Sequence, residues 1–416
     1  MTCPTSFVIV RHLTGNRSML PRTRYFHFRL NPVHINRINI YSIELPFKGD
    51  FSISIRKGLS SRIVVVEIVD QTGRIRGYGE ALPVKDVTGE TTGTVIDSIN
   101  DFIKNRRFPW DLENVTQIWR FVDSLPEEKY ENAARCAVET ALLDALGKGE
   151  NKSVLEYFDH RYLTTKVTYG ASITLGDRQK VEKICRLIHG LGINHLRIKM
   201  GKDFHQNRDT VEVVRAMFSD DCDIRIDPNQ VWDSVLAFKH IPLIEENRIN
   251  IVEEPFPTDN PRFREYFEIM ANMGVGLMAC ESAVTLDDIR KIAQEGYYGM
   301  INVKLCRSGG FRRSLKMIDY IRNLGLNYQI GCSLGESGLL SAAGRALCLL
   351  SGDAVYCDGS YDKFILAENT TVEPVSFKQG GEAGPLKGPG LGVGVDPENL
   401  KRFAVIYKAP VMKKII

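Results

Sequence analysis

The alternation of hydrophobic and polar positions in the first part of the chain predicts three strands followed by two helices. Ile38–Leu45 alternates with a period of two, and Arg62–Val69 is rich in isoleucine and valine. Both patterns are typical of β-strands, and a turn after the second leads to a third predicted strand, Ile75–Ala81. Helical patterns follow at Thr92–Lys104 and at the alanine-rich Glu131–Leu146. These elements predict a small α+β domain.

From about residue 166 the pattern becomes a regular alternation of short β-rich runs and amphipathic helical stretches. Such alternation indicates parallel strands joined by crossover helices, and eight such strands close a TIM-like barrel. The eight predicted strands are Lys166–Ala171, Leu196–Met200, Ile224–Asp227, Ile249–Glu253, Leu277–Ala279, Ile301–Leu305, Tyr328–Gly331 and Val355–Cys357. We therefore predict an α+β domain at residues 38–160, a barrel at 161–370 and a C-terminal segment at 371–416.

The beginning of the chain differs in composition from the rest. Residues 1–43 contain no Asp or Glu, but six arginines lie among them, namely Arg11, Arg17, Arg22, Arg24, Arg29 and Arg37. Acid-poor ends that carry arginine occur in transit peptides. We favour the alternative that residues 1–37 form a basic, poorly ordered extension, because a periodic pattern begins only near Ile38.

The composition is typical of a globular protein and gives no sign of a nucleic-acid or membrane partner. With 43% hydrophobic and 25% charged residues the chain is ordinary for a globular protein, and its net charge is only +3. It has no basic run and no apolar stretch of about 18 residues, so we expect neither a nucleic-acid nor a membrane partner. The nine cysteines form no Cys-x-x-Cys pair, which favours a reducing, cytoplasmic environment.

Polar or reactive residues recur at the ends of successive predicted strands, about 25 residues apart, which is the length of one strand, one helix and their loops. They are Lys199, Asp227, Glu253, Cys280, Lys304, Cys332 and Cys357. The carboxyl ends of barrel strands meet at one face, where barrel enzymes keep their active sites. We therefore predict a ring of functional side chains at that face; the alternative is that polar residues end these strands by chance.

Three cations near this face indicate acid–base chemistry. Arg197 and Lys199 lie two positions apart, so a strand directs both side chains to one face. There Arg197 is expected to lower the pKa of Lys199 and fit it to act as a base; the alternative is a pair of salt-bridged cations. Lys304 is predicted to lie across the barrel mouth, although by itself it would be an ordinary surface lysine. Two bases on opposite faces of a carbon are what racemisation or epimerisation requires.

Two carboxylates end the strands that follow Lys199 and are candidates for metal binding. Asp227 and Glu253 are each followed closely by a proline, as expected at a strand end. Their oxygens are the kind of ligand that Mg²⁺ or Mn²⁺ prefers. Glu253 and Glu254 are adjacent, so only one of them can face inward, whereas Asn229 could approach the site beside Asp227. The alternative is that Asp227 and Asn229 cap the following helix.

Several motifs together resemble those of a known family. They are Arg197-Ile198-Lys199, Asp227-Pro228-Asn229-Gln230, Val252-Glu253-Glu254-Pro255, Asn302-Val303-Lys304 with Ser308-Gly309-Gly310, and Pro389-Gly390-Leu391-Gly392. Together they resemble the muconate-lactonising (muconate cycloisomerase) subgroup of the enolase superfamily, which includes dipeptide epimerases and N-acylamino acid racemases. The resemblance runs from about residue 38 to 405.

The resemblance implies an α/β fold, a modified TIM-type (β/α)₇β barrel whose mouth is closed by an N-terminal α+β capping domain. The C-terminal segment would return to the capping domain. The loops Phe47–Ser60 and Lys85–Thr91 would exclude water and set specificity. A small-molecule carboxylate is the implied substrate, and family members commonly form homo-oligomers.

The resemblance also implies residue roles. Mg²⁺ or Mn²⁺ on Asp227 and Glu253 would bind the substrate carboxylate, and Lys199 or Lys304 would remove the proton from the adjacent carbon. The metal and Arg197 would stabilise the resulting ene-diolate.

The chain departs from the family pattern at three positions. Arg197 replaces a lysine and keeps its charge. Cys280 stands where the family has an aspartate as third metal ligand, and a thiolate suits softer metals than Mg²⁺. The neighbouring Glu281 is a candidate substitute, but strand alternation would point it away unless the strand has already ended. Of the Asp-x-Asp pair with which dipeptide epimerases hold the substrate amine, only Asp358 remains as a substrate-binding residue, which disfavours a standard dipeptide.

Three functions are consistent with these features. The preferred one is a racemase or epimerase of an amino-acid derivative, in which Lys199 and Lys304 are both essential. The second is a cycloisomerase or dehydratase, of the muconate or o-succinylbenzoate type, which needs only one of the lysines. The third is a catalytically impaired barrel that serves in binding or structure, for which Cys280 is the main argument.

Overall fold

A computed structural model describes residues 32–53, 56–220 and 222–413 of the chain. The predicted basic extension at 1–37 therefore lies mostly outside the described residues. Its last part does not, because the first strand begins at Val33, before the predicted start at Ile38. Within the described residues, no helix combines the length and the apolar character needed to cross a bilayer.

The first region is the predicted α+β domain, which we call the capping domain. Its elements in the described chain are strands β1 (Val33–Ile53), β2 (Arg56–Asp70), β3 (Arg76–Ala81) and β4 (Asp111–Leu112), and helices α1 (Lys85–Thr88), α2 (Thr92–Lys104), α3 (Val115–Val122) and α4 (Asn132–Glu150). The three predicted strands and both predicted helices are confirmed. Strands β1 and β2 are longer than predicted because they extend through much of Phe47–Ser60, which was expected to be a loop.

The second region is a curled parallel sheet. Its strands are β6 (Ala171–Ile173), β7 (His195–Lys199), β8 (Asp223–Asp227), β9 (Ile251–Glu253), β10 (Gly276–Ala279), β11 (Met300–Lys304), β12 (Asn327–Gly331) and β13 (Tyr356–Cys357), paired in that order. Its helices are α5 (Arg178–Gly190), α6 (Phe204–Met217), α7 (Ser234–Lys239), α8 (Ile241–Glu246), α9 (Phe263–Asn272), α10 (Leu286–Glu295), α11 (Phe311–Asn323), α12 (Gly338–Leu350) and α13 (Asp362–Ile365). A parallel bridge between Tyr169 and Cys357 joins its first and last edges. The modified TIM barrel is thereby confirmed.

The first predicted barrel strand was placed incorrectly. Most of Lys166–Ala171 lies outside the parallel sheet, because strand β5 (Val167–Thr168) pairs antiparallel with β14 (Glu382–Ala383). The parallel sheet begins only with β6. A short alternating run predicts a strand but does not identify the strand with which it pairs.

The end of the chain returns to the capping domain. Helix α14 (Pro397–Arg402) leads into strand β15 (Ala404–Met412), which pairs antiparallel with β1. The capping sheet therefore has the order β15-β1-β2-β3, with β4 also paired to β1.

Helix α4 packs against β3 at a distance that only glycine allows. A Cβ on Gly77 would lie 2.3 Å from the carbonyl oxygen of Ala141, and a Cβ on Gly79 would lie 2.0 Å from that of Ala137. Real Cβ atoms do not approach other atoms so closely, so the two glycines and the small residues of α4 define this contact together.

Candidate active site at the mouth of the barrel

The predicted ring of residues forms at the carboxyl ends of the barrel strands. Lys199 and Asp227 are the last residues of the paired strands β7 and β8, and they lie opposite each other in register. Glu253 ends β9, and Lys304 ends β11. Arg197, Lys199 and Lys304 line one cavity, and Asp227 and Glu253 are completely buried beside them.

The two carboxylates are bound by cations and amides of the protein. Asp227 accepts hydrogen bonds from the amine of Lys199 and, at 2.9 Å, from the backbone N–H of Asn229. Glu253 accepts from the amide of Asn302 at 2.8 Å and from the guanidinium of Arg197 at 3.4 Å. The prediction that Asp227 and Glu253 lie together beside the strand-end cations is met by this geometry.

The pKa values of these two acids are shifted in opposite directions. Burial, and then repulsion by Glu253, raise the pKa of Asp227 to about 7, although Lys199 lowers it. Burial also raises the pKa of Glu253, but the three cations Arg197, Lys199 and Lys304 outweigh burial and hold that pKa well below its ordinary value. Two adjacent buried carboxylates whose pKa values are shifted in opposite directions repel each other, and further positive charge would stabilise them.

Arg197 is fixed in the centre of the site. Its guanidinium donates to Ser172 Oγ at 2.9 and 3.2 Å and lies 3.4 Å from both Glu253 and Asp358. Burial lowers the pKa of Arg197, but the surrounding carboxylates Asp358, Glu253 and Asp227 outweigh it, so the net shift is well upward. A permanently charged guanidinium at the cavity wall can bind an incoming anion.

Lys304 keeps its proton more firmly than a free lysine. Burial lowers its pKa, but the neighbouring Cys280, Glu281 and Glu253 outweigh burial and raise it. Burial also raises the pKa of the Cys280 thiol well above its ordinary value.

Cys280 is completely buried and faces cations rather than an open coordination position. Its Sγ lies 3.1 Å from the guanidinium of Arg307 and 3.5 Å from the amide of Asn302. Arg307 also donates to the backbone carbonyl of Asn302, which holds it in place. The ring prediction thus located Cys280 correctly but did not anticipate the arginine beside it.

Glu281 turns toward the cavity. Strand β10 ends at Ala279, so strand alternation no longer applies two residues later. One carboxylate oxygen of Glu281 accepts from Asn229 at 2.9 Å, and the other is buried without a hydrogen-bond partner. Asn229 also accepts from Lys199 at 3.1 Å, which connects Glu281 to Lys199.

The adjacent Glu254 is directed away from the cavity, as the sequence required of one of the pair. Its φ of 46° lies in the left-handed region. One of its oxygens accepts from the backbone N–H groups of Cys280 and Ser282, at 2.7 and 2.9 Å. Glu254 therefore holds the chain that carries Cys280 and Glu281.

The donor atoms fit a hard divalent cation only in part. Across residues 32–53, 56–220 and 222–413, no three His, Cys, Asp or Glu side chains lie close enough together to form a metal site. The oxygens of Asp227, Glu253 and Glu281 are nevertheless suitable ligands, and the unpartnered oxygen of Glu281 is an acceptor without a donor. These carboxylate oxygens are of the kind that Mg²⁺ prefers, whereas the thiol of Cys280 is not, but the three carboxylates of the described chain are not gathered into one metal site.

Asp358, the predicted substrate-binding residue, lies behind Arg197. It is buried, and it is not among the described residues that line the cavity. Its oxygens contact Arg225 at 3.3 Å, Gln329 at 3.2 Å and Arg197 at 3.4 Å. Asp358 thus contacts the guanidinium of Arg197, which lines the cavity, and its role in substrate binding stays a prediction.

The capping domain contributes to the cavity at the two predicted segments. Lys48 and Gly49 line it from the first segment, and Asp86 and Val87 line it from the second, where α1 replaces the expected loop. The side chains of residues 50–58 lie outside the described part of the structure.

Arg307, Ser172 and Tyr361 are among the lining residues that the sequence analysis missed. Arg307 follows Lys304 by three positions, a spacing that could have revealed it. Ser172 is the middle residue of the short strand β6, whose limits the sequence did not show, and Tyr361 follows β13. Of the cysteines in the predicted ring, Cys332 lines the cavity, whereas Cys357 pairs at the barrel seam.

Two family models match the two regions of the fold. Residues 38–158 match the model for the mandelate racemase / muconate lactonizing enzyme N-terminal domain, and residues 180–399 match the enolase C-terminal domain-like model. A hydrophobic dipeptide epimerase of Enterococcus faecalis is 26% identical over 317 residues, which cover 74% of this chain and 86% of that protein. A chloromuconate cycloisomerase of a Pseudomonas species is 23% identical over 377 residues, which cover 89% and 98%.

Solved structures share the fold. An N-succinyl Arg/Lys racemase from Bacillus cereus superposes with a TM-score of 0.78 at 22% identity, covering 91% of this chain and all of that one. A dipeptide epimerase from Cytophaga hutchinsonii, complexed with Mg and D-Ala-L-Val, gives a TM-score of 0.76 at 21% identity, covering 88% and 98%. The chain therefore belongs to the muconate-lactonizing subgroup of the enolase superfamily, and it is an enzyme of the isomerase class.

Proposed function

We propose that the protein is a racemase or epimerase that transfers a proton at the carbon next to a carboxylate of an amino-acid derivative. The observation that carries the proposal is that Lys199 and Lys304, from β7 and β11, line the same cavity as Arg197. Because β7 and β11 are four strands apart in the barrel order, we expect one amine on each side of a substrate. One lysine removes the proton and the other returns it from the opposite face.

Some residues of the site bind the substrate, and others hold the lysines that transfer the proton. Arg197 binds the substrate carboxylate and keeps its charge throughout. Asn229 holds Lys199 from one side, and the buried Asp227 holds it from the other. Asp227, Glu253 and Glu281 are the residues that would hold Mg²⁺ or Mn²⁺, and a bound cation supplies positive charge against the negative charge that develops on the carboxylate.

Proton exchange in D₂O tests the proposal. The protein is incubated with Mg²⁺ and a panel of N-acyl amino acids of known configuration, and recovered substrate is analysed by NMR and chiral chromatography. Deuterium at the α-carbon together with inversion is the expected result. Muconate and a β-hydroxy carboxylate are incubated in parallel. Their turnover to a lactone or a dehydrated product would instead identify the second candidate, cycloisomerisation or dehydration, for which the similarity to a chloromuconate cycloisomerase argues.

Variants that lack one of the two lysines distinguish a two-base mechanism from a one-base mechanism. Lys304→Ala and Lys199→Ala should each reduce racemisation by about 100-fold to 10,000-fold, while each still exchanges the α-proton of one enantiomer. Lys291→Ala, which removes an exposed lysine of α10, is the matched control and should leave the rate unchanged. Full turnover in Lys304→Ala would rule out the two-base mechanism.

The contact between Cys280 and Arg307 favours a third candidate, a barrel that has lost catalysis and retains binding. That candidate predicts no exchange with any substrate of the panel at saturating Mg²⁺. Exchange by the unmodified chain would exclude it.

A further inference from the structure

The cavity that contains the two lysines continues past them as an apolar groove. The whole cavity has a volume of about 640 Å³. Helix α5 and the loop after it line the groove through Ile184, Leu187, Ile188, Leu191 and Ile193. The other apolar residues that line it include Leu334, Phe364, Ile365 and Phe377. We call this part of the cavity the α5 groove.

A short helix and an irregular segment face α5 across the groove. In a regular eight-stranded barrel a helix follows every strand. Here β13 is followed by the four-residue helix α13, which supplies Phe364 and Ile365 to the groove. Phe377 comes from the irregular segment after α13. Residues of α5, of α13 and of this segment therefore line one cavity together.

Helix α5 presents an apolar stripe to this cavity. Ile184, Leu187, Ile188 and Leu191 recur at the spacing of one helix face, and the stripe is about 10 Å long at the rise of an α-helix. Leu187 is 51% exposed, which is unusual for a leucine that lines a cavity. An apolar ligand that covered this stripe would remove its surface from water and bind more tightly for that reason.

The charges around the cavity are predominantly positive. Lys180 and Lys183 of α5 line it in addition to Arg197 and the two lysines of the site. The acidic residues among its described lining are Asp86, which is exposed, and Glu281. The described lining residues of α5 itself include two lysines and no carboxylate. The cavity matches a ligand with an anionic head and an uncharged, apolar remainder.

We infer that the substrate is an amphiphilic carboxylate whose medium-length or long aliphatic chain lies in the α5 groove. This inference rests on the proposed function, because Arg197, Lys199 and Lys304 define where the carboxylate end lies. The carbon that loses its proton lies between the lysines, and the aliphatic chain runs from there along α5.

Saturated fatty acids test the inference directly, since they combine a carboxylate with a chain of adjustable length. Binding of hexanoate, octanoate, decanoate and dodecanoate, each below its micelle concentration, is measured by isothermal titration calorimetry. Affinity should rise about fourfold for each added methylene until the groove is filled. An affinity that does not change from hexanoate to dodecanoate would overturn the inference.

A variant in the α5 groove tests where the aliphatic chain of the ligand lies. Leu187→Glu puts a charge on the apolar stripe and should abolish most of the dependence on chain length. Val235→Glu is the matched control, because Val235 is 70% exposed in α7 and does not line the cavity. Circular dichroism confirms that both variants fold. If the affinity depended equally on chain length in the two variants, the aliphatic chain would lie outside the α5 groove.

The inference and the proposed function can fail separately. Exchange of the α-proton of short N-acetyl amino acids in D₂O tests the function without using the groove. Exchange without any effect of chain length would reject the groove and leave the function intact. Strong dependence on chain length without exchange of any substrate, short or long, would reject the function and leave a binding protein for amphiphilic carboxylates.

Discussion

Cys280 is the single residue at which the active site departs furthest from the pattern of its family. Its thiol is buried against Arg307 and Asn302, and burial raises its pKa well above the ordinary value. A neutral thiol that faces a guanidinium is a poor ligand for Mg²⁺, which prefers charged oxygen. The proposed binding of Mg²⁺ would then depend on the oxygens of Asp227, Glu253 and Glu281.

Substitution of Cys280 by aspartate should therefore strengthen metal binding. Cys280→Asp adds a further carboxylate to Asp227, Glu253 and Glu281, and we expect Mg²⁺ affinity to rise by at least the roughly tenfold to 100-fold that loss of a residue supporting a metal ligand typically costs. Titration calorimetry with Mg²⁺ alone measures this without reference to activity. Cys280→Ser is the control, since it removes the thiol without adding charge. Equal affinity in all three proteins would contradict the assignment of this position.

The site residues could be predicted from the sequence where the alternation along a strand determines which way the side chains point. Barrel register located Lys199, Asp227 and Lys304, because alternation along a strand determines which side chains face the interior. Past a strand end alternation no longer holds. The inward turn of Glu281 and the left-handed backbone of Glu254 depend on where the strands stop, and that limit is not encoded in a local pattern.

At the scale of elements, helix α4 of the capping domain docks on the start of barrel helix α11. Glu139 of α4 accepts from the backbone N–H of Arg312 at 2.9 Å, and so caps α11 from the other domain. Gly310, the residue before α11, has a φ of 96°. A Cβ there would lie 1.8 Å from the carboxylate of Glu139. The two elements can approach this closely because Gly310 has no side chain.

Replacement of Gly310 should separate the two helices. Gly310→Ala combines an unfavourable backbone conformation with a direct clash, and we expect the free energy of unfolding to fall by about 3 kcal/mol or more. Urea denaturation followed by circular dichroism measures the change. Gly344→Ala in α12 is the matched control: a Cβ there meets nothing within 4 Å, so the variant should gain about 1 kcal/mol of helix stability. A Gly310→Ala protein as stable as the original would mean that the helices are not docked in this way.

Element types were predictable from the sequence, but some element partners were not. Helix α2 has the predicted limits Thr92–Lys104, because its amphipathic period and its capping threonine are local signals. Helix α3 was missed since it is short. The pairing of β5 with β14 and of β15 with β1 joins segments far apart in the chain, and no local pattern identifies such partners.

At the scale of the molecule, the capping sheet and the barrel are joined by a buried carboxylate. Glu80 at the end of β3 accepts from the backbone N–H groups of Ser337 and Leu340, at 2.9 and 3.1 Å, and from the hydroxyl of Ser337. These donors form the start of α12. Burial raises the pKa of Glu80 to about 7, although the hydrogen bonds from Ser337 lower it. The junction between the two regions is therefore sensitive to pH.

The sign of that sensitivity follows from the direction of the shift. The pKa of Glu80 is about 7 in the folded protein and 4.5 for an ordinary glutamate, so the folded state binds more protons between these values. Its contribution to stability is then fully present below pH 4.5 and is lost as the pH rises through 7. Glu80→Gln keeps a hydrogen-bond acceptor and removes the charge. Relative to the original protein, this variant should gain about 3 kcal/mol between pH 4.5 and pH 7, with no further gain above pH 7.

Urea denaturation at pH 5, 6, 7 and 8 measures this difference, and a second carboxylate of the same sheet provides the comparison. Burial raises the pKa of Glu67, but its hydrogen bonds with Asn39, Arg76 and two tyrosines outweigh burial and lower it. Glu67→Gln should therefore be less stable than the original protein at all four pH values. A constant difference between Glu80→Gln and the original protein would mean that Glu80 is charged throughout, and that its bonds to α12 outweigh its burial between the two domains.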